Sequence, residues 1–204
     1  MGYGKNMRNE AGIVIRTYPS RESDLVLRIV SQSRPKLSLL AKQARKSSKK
    51  FGSGIDVFDH GIFESKQGKG SLPLVSSFSP AKGFRKIRQD IEKISAASTL
   101  CESFDLLLHE EGEDDGEPYS ILSLTLEAID DSVDLKETLK AVFLGLGQIL
   151  SVAGYGSKLS EEQPTAKRLV ALLNLVEQSA ERKLESKDAL LGIMNGLRSA
   201  KNVA

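Results

Sequence analysis

Between Leu25 and Ile55 the chain carries eight basic residues and no acidic one, although its formal net charge is only +2. Lysines and arginines at this density can pair with the phosphates of a polyanion, and the simplest such partner is nucleic acid. The alternative is a solvated loop whose lysines only aid solubility. The basic residues of this run are Arg28, Arg34, Lys36, Lys42, Arg45, Lys46, Lys49 and Lys50.

This basic run predicts contact with the nucleic-acid backbone rather than with the bases. Binding by stacking needs aromatic side chains, but the chain has no tryptophan and only Phe51 accompanies the run. If about five cations each neutralise one phosphate, log affinity on single strands should fall against log salt with a slope of about −3 to −4. The predicted nucleic-acid-binding residues, which the family resemblance described below assigns to DNA, are Arg34, Lys36, Lys42, Arg45, Lys46, Lys49, Lys50 and Phe51.

Two further groups of cations could extend this surface. The first belongs to the first two predicted strands and their turn, where arginines are often ordinary surface residues. The second follows residue 80, where three side chains share one face at helical spacing. The possible DNA-binding extensions are Arg16, Arg21 and Arg28 in the first group and Lys82, Arg85 and Lys86 in the second.

The chain offers little for catalysis or metal binding. Neither His60 nor His109 has a nucleophile or a metal ligand beside it in the sequence. Cys101 lies on an apolar helical stripe, so we expect it in the core. As the single cysteine it cannot form a disulfide framework or a multi-cysteine zinc site. The sequence therefore predicts a binding protein without enzymatic activity, cofactor or metal.

Charge is divided unevenly along the 204 residues. Residues 1–90 hold 18 Lys and Arg against 7 Asp and Glu, a net +11, whereas residues 91–204 hold 11 against 20, a net −9. The basic front suits nucleic acid, and the acidic back suits protein partners. With 40% apolar residues, no apolar run of the roughly 20 residues that a membrane span needs, and a polar N-terminus, a cytoplasmic protein without membrane contact is expected.

Residues 1–80 predict a small β-domain that would position the basic run. Short runs of Val, Ile and Leu alternate with polar residues and are separated by Pro, Gly and Ser. Five strands is the number in an OB-fold barrel. The predicted strands are Gly12–Tyr18, Leu25–Val30, Leu37–Ala41, one within Ile55–Glu64, and Leu72–Phe78.

Residues 81–204 predict an all-helical, net acidic domain, so the fold class is α+β. Ser79 and Pro80 are a plausible N-cap and first-turn proline for the first helix, and the spacing of Asp134 and Glu137 resembles a capping box. The predicted helices are one from about Pro80 to Leu108, one over Tyr119–Ile129, and three beginning near Asp134, Pro164 and Lys187.

Several of these segments resemble RecO, the bacterial recombination mediator family. The strand from Gly12 to Thr17 and the loop Arg21-Glu22-Ser23-Asp24 match its G-I-V-L-R-T and G-E-S-D opening, with Arg21 in place of the glycine. Residues 35–52 match its G-K-L-S strand and following basic segment in order and at the right spacing, with Pro35 in place of the glycine. Residues 153–159 match L-G-Y-x-P-x-L, but the C-x-x-C zinc motif that follows in the family is missing.

The resemblance implies an N-terminal OB-fold and a C-terminal helical domain in a bacterial cytoplasmic protein that joins the nucleoid during repair. It implies binding of single- and double-stranded DNA, annealing of complementary strands, and, together with RecR, loading of RecA on gaps coated with single-strand-binding protein. The family captures the acidic, apolar tail of that protein on its helical domain. A possible basic rim for the tail is Lys167, Arg168, Arg182 and Lys183, although solvated helix faces also account for these four.

Charge alone leaves two other functions open. RNA presents the same phosphates, so an OB-fold RNA-binding module such as a translation or ribosome-associated factor fits the same basic run. A protein-only adaptor fits as well, if the run contacts an acidic protein. Annealing of complementary strands would distinguish the first function from both alternatives.

Overall fold

The computed structural model describes residues 7–45, 51, 54–68, 70–81, 83–110, 112, 115–156 and 163–201. The chain forms two compact units. Met1–Gly83 and His109–Ser120 make up the barrel unit, and Phe84–Leu108 and Ile121–Ala204 make up the helical unit. The units differ from the division expected at residue 80 in one respect, because residues 109–120 group with the barrel.

The barrel unit confirms the predicted five-stranded barrel. The strands close in the order β1-β2-β3-β5-β4, with β3 and β5 parallel and the other neighbours antiparallel. The first half of β1 pairs with β4 and its second half with β2, so one long strand closes the barrel. The strands are β1 (Met7–Ser20), β2 (Asp24–Ser31), β3 (Leu37–Ala41), β4 (His60–Lys66) and β5 (Leu74–Pro80).

Apolar and polar residues alternate along the strands, so that the apolar side chains fill the interior of the barrel. Leu27, Ile29, Leu39 and Phe63 are fully buried in one apolar cluster, while the residues between them on β2 and β3 face outward. Each such side chain contributes about 1.5–3 kcal/mol by leaving water. The core therefore fixes which face of β2 and β3 is turned outward.

The fourth strand begins at His60, inside the predicted range Ile55–Glu64, and continues two residues past that range to Lys66. The N–H of Asp56 donates to the Asp59 carboxylate at 2.8 Å, and the N–H of Asp59 donates to the Asp56 carbonyl at 3.1 Å. This tight turn, with Phe58 buried at a φ of 71°, comes directly before β4. Aspartate side chains favour such turns because they accept local backbone hydrogen bonds.

The helical unit contains the predicted helices, and their caps explain several boundaries. Asp134 accepts a hydrogen bond from Glu137 N, and Thr165 accepts one from Arg168 N. None of the helices formed by the described residues is long and apolar enough to cross a membrane. The helices are α1 (Ile91–Leu107), α2 (Glu117–Asp131), α3 (Leu135–Val152), α4 (Ala166–Ala180) and α5 (Lys187–Lys201).

The predicted start of the first helix at Ser79-Pro80 is wrong. Those residues end β5, where Ser79 pairs with Ile62 and Pro80 with Gly61. The helix α1 begins at Ile91 instead, because the Asp90 carboxylate accepts from the N–H groups of the first turn at 2.8 and 3.3 Å. A turn and a short 3-10 helix (Ile87–Gln89) lie between the strand and α1.

Candidate nucleic-acid interface

The turn between β1 and β2 holds the part of the basic run that follows β3. The buried carboxylate of Asp24 accepts a hydrogen bond from Gln43 N at 2.9 Å, and the Ser23 carbonyl accepts one from Arg45 N at 3.1 Å. These bonds attach the residues that follow β3 to the β1–β2 turn. Lys42, Arg45 and Arg21 are all exposed beside them, so three cations are gathered at one end of the barrel. In OB-folds the loop between the first two strands belongs to the nucleic-acid surface.

Arg21 occupies a backbone position that suits glycine. Its φ is 54°, in the left-handed region, and the RecO pattern has glycine at this place in the loop. A residue with a Cβ adopts this conformation at a cost of about 1–2 kcal/mol. The turn therefore keeps a cation at this barrel end despite that cost.

The part of the basic run between residues 44 and 51, called the basic segment below, is anchored in the barrel core by an apolar side chain at each end. Ala44 and Phe51 both belong to the barrel cluster, at 4% and 5% exposed. A base cannot stack on Phe51 there, so its predicted DNA contact is replaced by a structural role. The residues between the two anchors include Lys46, Lys49 and Lys50, which lie outside the described residues.

The two predicted contacts before β3 differ in exposure. Arg34 is half-buried in the β2–β3 turn, where its backbone carbonyl accepts hydrogen bonds from Ser31 N and Ser31 Oγ at 3.2 Å. Lys36 is only 7% exposed. Since a phosphate contact requires an accessible ammonium, we leave Lys36 out of the proposed contacts and keep Arg34.

Two of the possible extension residues form one cluster with an aromatic ring. Arg16 and Arg28 are direct partners across β1 and β2, a placement that is unfavourable for like charges. The Tyr18 ring offsets this, because the two guanidinium carbons lie 5.2 and 5.4 Å from its centroid and Arg28 Nη1 donates to its hydroxyl at 3.4 Å. Tyr18 was not among the predicted site residues. Its position two residues after Arg16, on the same face of the strand, indicates that the two side chains are neighbours.

The second extension group is only partly described. Lys82 lies outside the described residues, and Arg85 is exposed in the turn before the 3-10 helix. Lys86 donates to the Asp131 carboxylate at 2.8 Å, and this hydrogen bond raises the pKa of the ammonium. The helical face predicted for these cations is wrong, because Arg85 and Lys86 lie in a turn.

The predicted rim for an acidic tail is scattered over solvated surface. Lys167 and Lys183 are exposed, Arg168 Nη1 donates to the Gln163 carbonyl at 2.8 Å, and Arg182 lies 3.9 Å from Glu185. A cavity of about 670 Å³ opens between the beginnings of α3 and α4 instead. It combines apolar side chains with two lysines one helical turn apart, which were not predicted from the sequence, and with the carboxylates of Asp134 and Glu137, which accept backbone hydrogen bonds at the start of α3. The lining residues used below are Lys136, Lys140, Leu139, Phe143 and Leu169.

The contacts of His60 and the burial of Cys101 indicate structural roles for both side chains. His60 Nε2 and the Tyr119 hydroxyl are 2.7 Å apart. Burial raises the pKa of the Cys101 thiol, with a smaller contribution from Asp105, so the thiol stays protonated. Within the described ranges, no group of three or more His, Cys, Asp or Glu side chains could hold a metal ion.

Comparison with known proteins identifies a family whose model matches the part of the chain that forms the barrel. The family model described as recombination protein O, N terminal, matches residues 7–84. A protein named DNA repair protein RecO from Desulfatibacillum aliphaticivorans is 29% identical over 153 residues, which is 74% of this chain and 58% of that protein. Its namesake from Roseiflexus sp. is 32% identical over 154 residues, covering 76% of this chain and 52% of the relative.

A third relative, the DNA repair protein RecO of Macrococcus caseolyticus, is 32% identical over 126 residues, or 62% of this chain and 49% of that protein. The chain thus spans about half the length of the curated relatives it matches. The family match coincides with the closed barrel, and the relatives' matches extend into the helices. On this evidence the chain belongs to the RecO family.

Proposed function

We propose that this chain acts in DNA repair and homologous recombination by binding single- and double-stranded DNA through the basic end of its barrel and annealing complementary strands. The observation that carries the proposal is the attachment of Gln43 and Arg45 to the β1–β2 turn, which places the exposed cations Lys42, Arg45 and Arg21 at one end of the barrel. The names of its relatives support a repair role, and phosphate chemistry supports DNA as the ligand.

Annealing follows from the kind of contact that this surface makes. Two complementary strands repel each other through their phosphates, and lysines and arginines that neutralise both strands lower that repulsion. Because Phe51 is buried in the core, no aromatic side chain among the described residues of the basic segment can stack on the bases and compete with base pairing. Bases of a bound strand then remain available to a second strand. This mechanism requires no covalent step, in keeping with a non-enzymatic protein.

We further propose that the helical unit takes the partners of the pathway, namely RecR and the acidic, apolar tail of single-strand-binding protein, for loading of RecA. The cavity beside α3 and α4 suits such a tail. Phe143, Leu139 and Leu169 supply apolar lining, and Lys136 and Lys140 supply positive charge for carboxylates. A labelled acidic tail peptide should bind the wild-type chain and lose affinity in Lys140→Glu, while Lys183→Glu should retain it.

The test of DNA binding compares two double charge reversals with equal change in net charge. Lys42→Glu with Arg45→Glu alters the barrel end, and Arg182→Glu with Lys183→Glu alters exposed positions of the helical unit. The first variant should lose about tenfold or more in affinity for labelled single strands, and the second should lose little. The same variants should rank alike in an annealing assay.

Each result decides between the candidate functions. Equal losses in both variants would contradict the site assignment, provided that circular dichroism shows both to be folded. Tight binding of RNA without annealing would favour an RNA-binding factor. Lack of binding to either nucleic acid at low salt would leave a protein-only adaptor.

A further inference from the structure

A carboxylate from the segment between α1 and α2 lies on the outer face of β2 and β3. Glu110 Oε1 accepts a hydrogen bond from the Ser38 hydroxyl at 2.8 Å and lies 3.4 Å from Arg28 Nη2. Arg28 and Ser38 are direct cross-strand partners, so two neighbouring strands present both donors to one point. A hydroxyl and a guanidinium on one anionic oxygen are donors that proteins use for backbone phosphate.

The same segment is attached to the barrel at its other end. A Cβ on Gly116, whose φ is +87°, would lie 3.1 Å from the carbonyl oxygen of Gln32, so the chain passes close to the end of β2. Three residues later the Tyr119 hydroxyl meets His60 Nε2 at 2.7 Å. The segment is therefore held against the barrel at both ends, which accounts for its grouping with the barrel unit.

The segment also changes the charge of the unit to which it belongs. Residues 1–83 hold 15 Lys and Arg against 6 Asp and Glu, a net +9. Residues 109–120 add six acidic residues and no basic one, which leaves the barrel unit at +3. Most of the barrel's positive charge is thus balanced from within its own unit.

We propose that Arg28 and Ser38 form a subsite for one phosphate of the DNA backbone, and that Glu110 occupies this subsite as an internal competitor until DNA displaces it. The inference rests on the proposed function, since it presupposes that the barrel binds DNA. The side chains of Arg28 and Glu110 are 26% and 45% exposed. A pair so open to water is weak enough for a phosphate to replace the carboxylate. Ser38 is 6% exposed with the carboxylate in place, so in this proposal a phosphate reaches its hydroxyl only at the position that Glu110 now occupies.

The displacement makes binding selective for a strand that offers several phosphates at once. A single anion that binds the Arg28–Ser38 subsite makes contacts there, but the Glu110 carboxylate loses its own, so the net gain in free energy is small. A strand that also reaches Lys42 and Arg45 gains those contacts in addition. The Glu110 carboxylate thereby raises the threshold for binding and occupies the subsite again when DNA leaves.

The experiment vacates the subsite and measures the affinity for a labelled oligothymidylate by fluorescence anisotropy over a range of salt concentrations. Glu110→Ala should raise affinity about three- to tenfold at low salt. It should also steepen the log–log salt slope by about 0.7, the contribution of one more phosphate on a single strand. Asp188→Asn, on exposed helix surface of the other unit, changes the net charge equally and should show neither effect.

A second variant separates the subsite from long-range charge. Ser38→Ala added to Glu110→Ala should reduce the gain in affinity, because one of the two donors is gone while the Arg28 guanidinium remains. A gain that is undiminished in the double variant, or one matched by Asp188→Asn, would overturn the subsite while wild-type binding leaves the proposed function standing. If neither the wild type nor Glu110→Ala binds DNA, the proposed function fails and this inference fails with it.

Discussion

Phe51 shows how burial determines the role of a single residue. In sequence it is the aromatic side chain that accompanies a run of cations, which suggests base stacking. In the fold it is 5% exposed and packs in the barrel cluster with Ala44 and Ile55. The basic segment between Ala44 and Phe51 therefore starts and ends on the core. Because Ala44 and Phe51 are both anchored in the core, the chain between them has fixed ends, which limits the entropy that DNA binding must remove.

Truncating this anchor should affect stability first and DNA binding second. Phe51→Ala should lower the free energy of unfolding by about 3–5 kcal/mol, because it removes a buried ring and leaves a cavity. Phe51→Leu should retain most of both stability and DNA affinity, since it keeps apolar bulk without an aromatic face. Urea unfolding and anisotropy measure the two quantities. A stable Phe51→Leu protein that binds DNA as weakly as Phe51→Ala would instead indicate stacking.

At the level of elements, local patterns in the sequence predicted most of what the structure contains. Alternation located the strands, and the cap predicted at Asp134 lies where helix α3 begins. The errors arise where distant residues decide. Pro80 looks like the start of a helix, yet it pairs with Gly61 at the end of β5. Gly61 permits this approach, because a Cβ there would come within 2.2 Å of the Ser79 carbonyl oxygen.

The candidate site was predictable to a similar extent. The charge run located Lys42 and Arg45, but the contact that joins Glu110 to Ser38 spans 72 positions of sequence. A local pattern contains no information about a pair so far apart. Only the folded chain places the Glu110 carboxylate on the barrel.

The connection between α4 and α5 should make stability depend on pH. Partial burial would raise the pKa of Glu177, but hydrogen bonds from Lys187 Nζ and Leu184 N outweigh it and lower the pKa below its usual value of 4.5. Because the folded pKa is the lower one, the stabilisation is present above the unfolded value and is lost as pH falls through the folded value.

Replacing the carboxylate should remove this part of the pH dependence. Glu177→Gln should be less stable than the wild type at neutral pH, and the difference should shrink as pH falls below about 4. Urea unfolding at a series of pH values measures it. Glu181→Gln, at an exposed neighbouring position, is the matched control and should follow the wild-type profile. A constant difference between Glu177→Gln and wild type at all pH values would contradict the assignment.

Over the whole molecule, the arrangement of charge differs from its order along the chain. The sequence suggests a basic front and an acidic back, with net charges of +11 and −9 for residues 1–90 and 91–204. The folded units stand at +3 for the barrel unit and −1 for the helical unit, whose 14 basic and 15 acidic residues nearly balance. Repulsion between the helical unit and DNA is therefore expected to be small. In the proposed function, the local set of exposed cations at the barrel end directs DNA.

This distinction predicts how affinity responds to salt. A diffuse net charge of +3 would give a weak dependence, whereas about five local phosphate contacts should give a log–log slope of about −3 to −4 on single strands. Anisotropy titrations of the full chain with labelled single strands at several salt concentrations measure the slope. Lys42→Glu with Arg45→Glu should reduce its magnitude by at least about 1.4, corresponding to two lost phosphate contacts. A wild-type slope near zero with tight binding would contradict backbone binding, because contacts to bases alone release few counterions.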